Sequence, residues 1–456
     1  MKLEISKDAN VNYLAKIIKI DDFNFSKHPN ADKLKLVHIF GTIIATDINA
    51  KSGYYIYFPV ECVINPDFLK FHNLYRDNEL NSDKEKSGFF ENKGRVRCIK
   101  LRGVISDGFI MPIKSLTDFI GESKISDDEF SLYENQSFDT INGKLLTWKY
   151  VVEVKGASLG GGKKKEAKIV NSIVNGQFRY HIDTPKLLDN VEAIQPNDLI
   201  QISWKEHGTS AILCNLLTKK KIPVITAVGK LFGKEIVKKE YVKFCSSRKV
   251  IKDPVLNPKI RNDFYDFDIW NAALQVLDTY LTKGMSIYCE IAGYMPDGKM
   301  IQKDYDYNCI YEPKIHNYNE MSALEMYNSK LFDIIIYRIT ITNVDGDVYE
   351  FSARQIQEWC LKNGLNAVKE LFYGYAKDLF KIDTENNWNE NFIELLRERY
   401  LEKDSILCKN KVPEEGIVLR REVNNINVYK LKSLRFLQKE SEQLDMGEAD
   451  IESKQN

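Results

Sequence analysis

The stretch DLIQISWKEHGTSAILC, residues 198–214, carries the strongest indication of fold in this chain. Apolar and polar residues alternate along its first part, which predicts a β-strand with two unlike faces. The apolar face carries Ile200, Ile202 and Trp204, and the polar face carries Gln201, Ser203 and Lys205. Gly208 permits a sharp turn before a second strand, so Lys205 stands at a strand end as either a surface charge or a nucleophile.

Length and composition indicate a globular protein of two or three domains. The 456 residues exceed what a single ordinary core accommodates. The 65 basic and 65 acidic residues balance, so net charge alone does not indicate nucleic-acid binding. The eight cysteines include no C-x-x-C pair, which argues against structural zinc and against disulfide bonds. Because no signal peptide or long apolar run is visible, we expect an intracellular protein that does not bind membranes.

The order of predicted elements favours an α+β protein. Residues 1–150 contain short strands separated by turns, which predicts a small β-barrel. Residues 151–170 are rich in glycine and lysine and predict a linker or mobile loop. Residues 171–437 mix strands with helices, the helices being predicted at 266–283, 352–372 and 389–403. Residues 438–456 are polar and predict a frayed tail that does not pack.

One segment has an uneven charge distribution. Between Gly229 and Lys252 there are eight basic residues and two acidic ones, interleaved with three aromatic side chains. Such a run could follow a phosphate backbone, or it could be a solvated surface.

Two strands of the second half carry residues that are unusual for their position. Glu290 lies in the middle of the apolar strand MSIYCEIAGY, where a carboxylate is costly to bury without a partner. Alternatively, Glu290 lies on an open face of the sheet, where its carboxylate meets water. Phe332 begins the strand FDIIIYRI and suits either the core or a stacking platform for adenine.

Two later segments add oxygen and ammonium groups. Glu415 precedes a glycine and an apolar strand, a place that suits a ligand of a metal or of a metal-bound water. In NINVYKLKSL, Lys430 and Lys432 share one face of a predicted strand, so two ammonium groups project together. Phosphate is their natural counter-ion, although solubility of an edge strand would also explain them.

The joint occurrence of these residues resembles the ordered motifs of covalent nucleotidyltransferases, the superfamily of polynucleotide ligases and capping enzymes. The resemblance spans about residues 180–437, and its members in chain order are Lys205, Ser247-Arg248, Glu290, Phe332, Glu415, Lys430 and Lys432. The sequence KEHGT is similar to RNA ligases, whereas DNA ligases and capping enzymes typically have Asp where His207 stands. Trp204 also departs from related RNA ligases, in which an acidic residue often precedes the lysine.

The position of the predicted barrel narrows the resemblance. Only 24 residues follow Lys432, too few for the OB domain that DNA ligases and capping enzymes carry there. HPNADKLKLVHIFG (28–41) and GRVRCIKLRGVISDGFIMP (94–112) instead resemble tRNA-binding OB domains. An N-terminal OB-fold barrel before a ligase-type domain is the arrangement of the Deinococcus- and Naegleria-type RNA ligases, the fifth RNA ligase family. YHIDTPKLLDN (180–190) is similar to that family as well.

The resemblance implies an ATP-dependent RNA ligase that joins RNA 3'-hydroxyl and 5'-phosphate ends, alone or in a nicked duplex, through lysyl-AMP. Lys205 would be the nucleophile, with Lys430 and Lys432 as catalytic cations that lower its pKa together with a divalent cation. Mg²⁺ or Mn²⁺ would be held by Glu415 and Glu290. The nucleotide would be bound by Thr209 at a phosphate, Arg248 at the ribose or RNA, Glu290 as an alternative ribose ligand, and Phe332 at adenine.

The barrel is expected to bind the RNA strand beside the break. Candidate phosphate contacts are Lys33, Lys35, Arg95, Arg97 and Arg102. Deletion of residues 1–150 should then impair sealing more than lysyl-AMP formation. We expect a monomer.

Two alternatives remain open at the level of sequence. An mRNA guanylyltransferase would use GTP in place of ATP. A non-catalytic RNA-binding protein would form no covalent nucleotide adduct.

Overall fold

The computed structural model describes residues 1–122, 127–152, 172–221, 237–252, 266–380, 382, 387–423 and 426–447. Most of the predicted linker at 151–170, the last residues of the predicted tail and residues 229–236 of the basic run lie outside the described residues. The described residues form a mixed α and β structure whose sheets are mostly antiparallel. Within the described residues, no helix is both long and apolar enough to cross a bilayer.

Residues 1–150, called the N-terminal region below, contain small antiparallel sheets. The elements are β1 (Leu3–Glu4), β2 (Ala15–Ile20), β3 (Phe25–Lys27), β4 (Leu34–Ile39), β5 (Thr42–Asp47), β6 (Gly53–Phe58), β7 (Cys62–Ile64), α1 (Pro66–Phe71), β8 (Cys98–Leu101), β9 (Val104–Asp107), β10 (Phe109–Pro112), α2 (Lys114–Ile120), α3 (Asp127–Phe130), β11 (Ser137–Phe138), β12 (Thr140–Ile141), β13 (Lys144–Leu145) and β14 (Thr147–Lys149). The largest sheet has the order β10-β6-β2-β11, and β3-β4-β5 forms another. Alternate residues of these strands build two apolar cores, so the predicted run of short strands is confirmed.

The second half of the chain is built on two larger sheets. Its elements are β15 (Leu199–Trp204), β16 (Thr209–Lys221), β17 (Val237–Ser246), α4 (Ile269–Leu277), β18 (Met285–Gly293), α5 (Ala323–Asn328), β19 (Phe332–Thr342), β20 (Val348–Glu350), α6 (Ala353–Asn363), β21 (Asn366–Ala367), β22 (Glu370–Tyr375), α7 (Ala376–Leu379), α8 (Trp388–Tyr400), β23 (Gly416–Arg421), β24 (Asn427–Lys432) and α9 (Leu434–Asp445). Sheet A has the order β22-β15-β23-β24. Sheet B has the order β17-β16-β18-β19-β20, with β21 pairing parallel to β19.

The predicted strand faces are confirmed in both sheets. In β15, Ile200, Ile202 and Trp204 are buried in the core between sheet A and helix α8. In β18, Ile287, Cys289 and Ile291 pack into the largest core, against α4 and α5. The opposite faces of these two strands are directed towards each other, and their polar residues meet there. This arrangement follows from alternation, because each strand can cover only one core.

Two helix predictions were too long. The helix predicted at 352–372 ends at Asn363, since Gly364 takes a left-handed conformation with φ +66° and caps it. The residues after it form β21 and β22. The helix predicted at 266–283 ends at Leu277 and continues only as a 3-10 turn.

The predicted tail was wrong for its first part. Residues up to Asp445 belong to α9, which Ser433 caps by accepting a hydrogen bond from the Phe436 amide. Phe436 and Ser441 of this helix are buried. The polar composition of the segment hid the helix because its apolar side is narrow and its other contacts are polar.

Candidate active site

A cavity of about 420 Å³ lies between sheet A and sheet B. Six of the residues selected from the sequence line it: Lys205, Arg248, Glu290, Glu415, Lys430 and Lys432. They come from the ends or inner faces of β15, β17, β18, β23 and β24. Residues separated by more than two hundred positions are therefore gathered around one space large enough for a small ligand.

Lys205 is fixed by its backbone and by one carboxylate. Its amide donates to the carbonyl of Gly416 at 2.9 Å, which continues the pairing of β15 with β23. Its Nζ lies 2.8 Å from Glu415 Oε1. Gly416 has φ +154°, and a Cβ there would stand 2.3 Å from the carbonyl oxygen of Leu431. A glycine is therefore needed for Glu415 to sit between β15 and β24.

The charge state of Lys205 differs from the prediction. Burial lowers the pKa of the amine, but Glu415 and Glu290 raise it by more, so its pKa lies above the ordinary value. Burial raises the pKa of Glu415, but Lys205, His207 and Lys432 together hold it well below the ordinary value. Lys205 is therefore a protonated ion-pair partner of Glu415, because the nearest charged side chain is a carboxylate and not a cation.

The two lysines of β24 have different surroundings. Lys432 Nζ lies 3.0 Å from Glu440 and 3.9 Å from Glu415. No carboxylate is among the main causes of the pKa shift of Lys430. Burial lowers the pKa of Lys430 well below its ordinary value, and Lys432, Lys205 and other cations lower it further. An anion in the cavity would relieve this repulsion, as the sequence predicted for the pair.

Glu290 and Glu415 have the chemistry of a divalent-cation site. Oε2 of each is buried and has no hydrogen-bond partner among the described residues, apart from the 3.4 Å approach of His207 Nδ1 to Glu415. Burial raises the pKa of Glu290 to about 7, an effect that nearby Lys205 partly offsets. The described residues contain no preformed group of three metal-ligating side chains. The pair therefore fits Mg²⁺ or Mn²⁺ held by one or two carboxylates, with water and ligand oxygens completing the shell.

The N-terminal region forms part of the cavity wall. Tyr13 and Lys149 line the cavity. Arg248 pairs with Asp183, whose other oxygen accepts a hydrogen bond from Asn10 Nδ2 at 2.6 Å. The expectation that deletion of this region impairs sealing more than lysyl-AMP formation stays a prediction, and these contacts show that the region also borders the cavity. Its removal would open the cavity itself.

Two predicted nucleotide ligands lie elsewhere. Thr209 is 2% exposed in β16 and does not line the cavity. The neighbouring Ser210 does not line it either, although its Oγ lies 3.5 Å from the Oη of Tyr337, which does. Phe332 is fully buried in the core beneath sheet B, 6.0 Å from the Tyr327 ring. Strand alternation turns both side chains away from the cavity, so the structure does not place them against a nucleotide.

The predicted RNA contacts of the N-terminal region are only partly available. Lys33 and Arg102 are exposed. Lys35 bonds the carbonyl of Ala50 and covers the ring of Phe25. The prediction was wrong for Arg95, which is 7% exposed and pairs with Glu61 and Asp445, while Arg97 also pairs with Asp445. These two arginines contact helix α9 because β8 packs against it.

Several residues of the cavity were missed by sequence reasoning. They include His181, Asp183, Tyr337, Arg338 and Glu440. Burial, followed by Arg248 and other cations, lowers the pKa of His181 to about 3, so this ring is neutral. Glu440 could have been found, since Ser433 followed by thirteen residues without glycine or proline is a helix signal. The other four lie in stretches that were quoted above, His181 and Asp183 in YHIDTPKLLDN and Tyr337 and Arg338 in FDIIIYRI, but they were not selected individually.

Comparison with known proteins identifies the fold. Neither protein-family models nor curated proteins match the chain. A variant of Naegleria gruberi RNA ligase with ATP and Mn is 15% identical, covers 93% of this chain and 98% of that chain, and gives a TM-score of 0.50. The same ligase with PPi is 14% identical, covers 95% of this chain and all of that chain, and also gives 0.50. The chain thus has the fold of these RNA ligases over nearly its whole length.

Proposed function

We propose that this chain is an ATP-dependent RNA ligase that seals RNA 3'-hydroxyl and 5'-phosphate ends through a lysyl-AMP intermediate. The observation that carries the proposal is the cavity in which Lys205 Nζ lies beside Glu415, with Lys430, Lys432 and Arg248 along the walls. A nucleophilic amine, a carboxylate and a group of cations are the components that nucleotidyl transfer requires. The fold is that of ligases whose structures contain ATP and Mn.

In the first step, Lys205 Nζ attacks the α-phosphorus of ATP. A nitrogen–phosphorus bond forms, the bond to the bridging oxygen breaks, and pyrophosphate leaves. Lys205 must lose a proton before it attacks, which means that its ion pair with Glu415 has to be broken. Glu415 and Glu290 would hold a divalent cation, which would offset their negative charge and supply positive charge to the phosphates.

Lys430 and Lys432 act on the phosphates. Their ammonium groups project from β24 into the cavity that Lys205 enters from β15. Negative charge that spreads over the phosphoryl oxygens is stabilised by fixed cations. Bound phosphate would also favour the protonated form of Lys430, whose pKa is depressed without it.

In the next steps, AMP passes from Lys205 to the 5'-phosphate of RNA, and a 3'-hydroxyl displaces AMP to form the phosphodiester. The N-terminal region, in which we propose an OB-fold, would bind the RNA beside the break through exposed Lys33 and Arg102. The chain would act as a monomer.

Covalent labelling tests the proposal. The protein is incubated with Mn²⁺ and either α-labelled ATP or α-labelled GTP, and protein-bound label is measured. We expect label from ATP that is abolished in Lys205→Ala and retained in Lys377→Ala, which removes an exposed lysine on helix α7. Label from GTP would instead indicate a guanylyltransferase. Absence of label with both nucleotides would leave a non-catalytic RNA-binding protein.

A further inference from the structure

Helix α9 lies between the cavity and the N-terminal region. It begins at Leu434, and only Ser433 separates it from Lys432, the last residue of β24. Phe436 and Glu440 share one side of the helix, and Ser441 and Asp445 share the adjacent side, because each pair is separated by four residues. The first side faces the cavity, and the second faces β8 of the N-terminal region.

The cavity side of the helix holds Lys432. Both oxygens of Glu440 accept hydrogen bonds from Lys432 Nζ, at 3.1 and 3.0 Å. The ring of Phe436 lies 4.8 Å from the same ammonium group and 5.2 Å from the ring of His207. Among the described residues, Glu440 makes the nearest contact to the Lys432 charge.

The other side of the helix is fastened to the N-terminal region by buried polar contacts. Ser441 Oγ accepts a hydrogen bond from the Cys98 amide at 3.1 Å and donates one to Glu61. Arg95 donates to the Ser441 carbonyl at 3.1 Å and to Asp445. Ser441 is 1% exposed and Arg95 7% exposed, so water cannot easily replace the contact between them. The Asp445 carboxylate, which both Arg95 and Arg97 contact, is 46% exposed.

We infer that Glu440 is a positioning residue for Lys432 and that the N-terminal region supports nucleotide transfer by holding helix α9 through Ser441 and Asp445. Lysine has four rotatable bonds, so an ammonium group without a fixed partner spends much of its time away from a single productive position. Glu440 limits that freedom only if its own helix is held. The N-terminal region would thus contribute to lysyl-AMP formation without contacting the reacting atoms, and the inference rests on the proposed function.

The test compares substitutions on the two sides of the helix. Single-turnover lysyl-AMP formation is measured against ATP concentration for Glu440→Gln, Asp445→Lys and the double variant. Glu442→Lys is the matched control for Asp445→Lys, since both replace a carboxylate by an ammonium group. Glu442 is an exposed residue of the same helix, and its side chain accepts a hydrogen bond from Gln438. Thermal unfolding midpoints are recorded for every variant, and Ser441→Ala replaces Asp445→Lys if that variant does not fold.

We expect Glu440→Gln and Asp445→Lys each to lower the maximal rate by about tenfold or more, equivalent to about 1.4 kcal/mol. The ATP concentration at half-maximal rate should change less, and Glu442→Lys should behave like the unsubstituted chain. Glu440→Asp should restore part of the rate. Because both substitutions act through Lys432, the double variant should be little slower than Glu440→Gln alone.

An unchanged or faster rate in Glu440→Gln would overturn the positioning role. If Asp445→Lys does not change the rate, the N-terminal region does not act through this helix. The same conclusion follows if the double variant is slower than Glu440→Gln by the full factor measured for Asp445→Lys alone. An unsubstituted chain that forms no lysyl-AMP would contradict the proposed function itself, which separates that failure from the other two.

Discussion

Replacement of Glu415 by glutamine should lower the pKa of Lys205 and yet abolish its reaction with ATP. The carboxylate oxygen lies 2.8 Å from Lys205 Nζ and keeps the amine protonated. Coulomb's law at an effective dielectric constant of about 20 gives about 6 kcal/mol for this pair, as an upper bound. The Lys205 side chain is 26% exposed, so solvent screens part of this energy. We therefore expect the Lys205 pKa to fall by about 1–3 units in Glu415→Gln.

The pKa can be measured without nucleotide or metal. The protein is treated with a neutral amine-acylating reagent across a range of pH, and modification of Lys205 is quantified by mass spectrometry of its peptide. The midpoint for Glu415→Gln should lie at least about one pH unit below that of the unsubstituted chain. Glu414→Gln is the matched control, because Glu414 is a buried neighbour that forms no ion pair with Lys205.

The same variant should lose lysyl-AMP formation with ATP and Mn²⁺, since it lacks a proposed cation ligand. A more reactive amine with a less active enzyme is the combination expected. Identical acylation midpoints in the variant and the unsubstituted chain would refute the assignment of Glu415 as the group that holds the Lys205 proton.

Three further outcomes follow from the structure. The pKa of His181 is about 3 in the folded chain, below that of an exposed histidine, so stability is present above about pH 6.5 and lost as pH falls; His181→Gln should flatten this loss, about 2 kcal/mol at pH 5, in urea unfolding curves. Gly416→Ala should lower the unfolding free energy by about 2–4 kcal/mol, because its Cβ would meet the Leu431 carbonyl; an unfolding free energy equal to that of the unsubstituted chain would contradict this. Arg95→Ala should cost about 3–5 kcal/mol of stability and leave the salt dependence of RNA binding unchanged. Arg102→Ala should leave stability unchanged and weaken the salt dependence of RNA binding, and RNA binding titrated with salt distinguishes the two variants.

Sequence reasoning was most successful where strand alternation alone decides the outcome. The inward direction of Lys205, Glu290 and the two lysines of β24 follows from period-two patterns, and all of them line the cavity. For Phe332 the residues left the core open as one of two places, and the ring lies in the core. The adenine contact was implied by the resemblance alone, and the structure does not place the ring at the cavity. At this position the family resemblance was given more weight than the strand register of Phe332.

Other features depend on contacts between distant parts of the chain. The burial of Arg95 requires that β8 meets a helix more than three hundred residues later, which no local pattern indicates. The raised pKa of Lys205 likewise depends on which charge lies nearest, and the sequence placed cations and carboxylates in the same site without giving their distances. Long-range packing and the order of neighbours around a charge are decided by tertiary structure.

The residues that line the cavity are spread along the chain from Tyr13 to Glu440, so the cavity cannot be complete until almost the whole chain has been synthesised. The strand that precedes Lys205 is synthesised long before β24, so a growing chain that has not reached Lys430 contains the proposed nucleophile but lacks part of the cavity wall. Pairings between segments so far apart also form slowly during folding. Translation should therefore deliver an inert chain first, and competence to react with nucleotide should arise only late in its maturation.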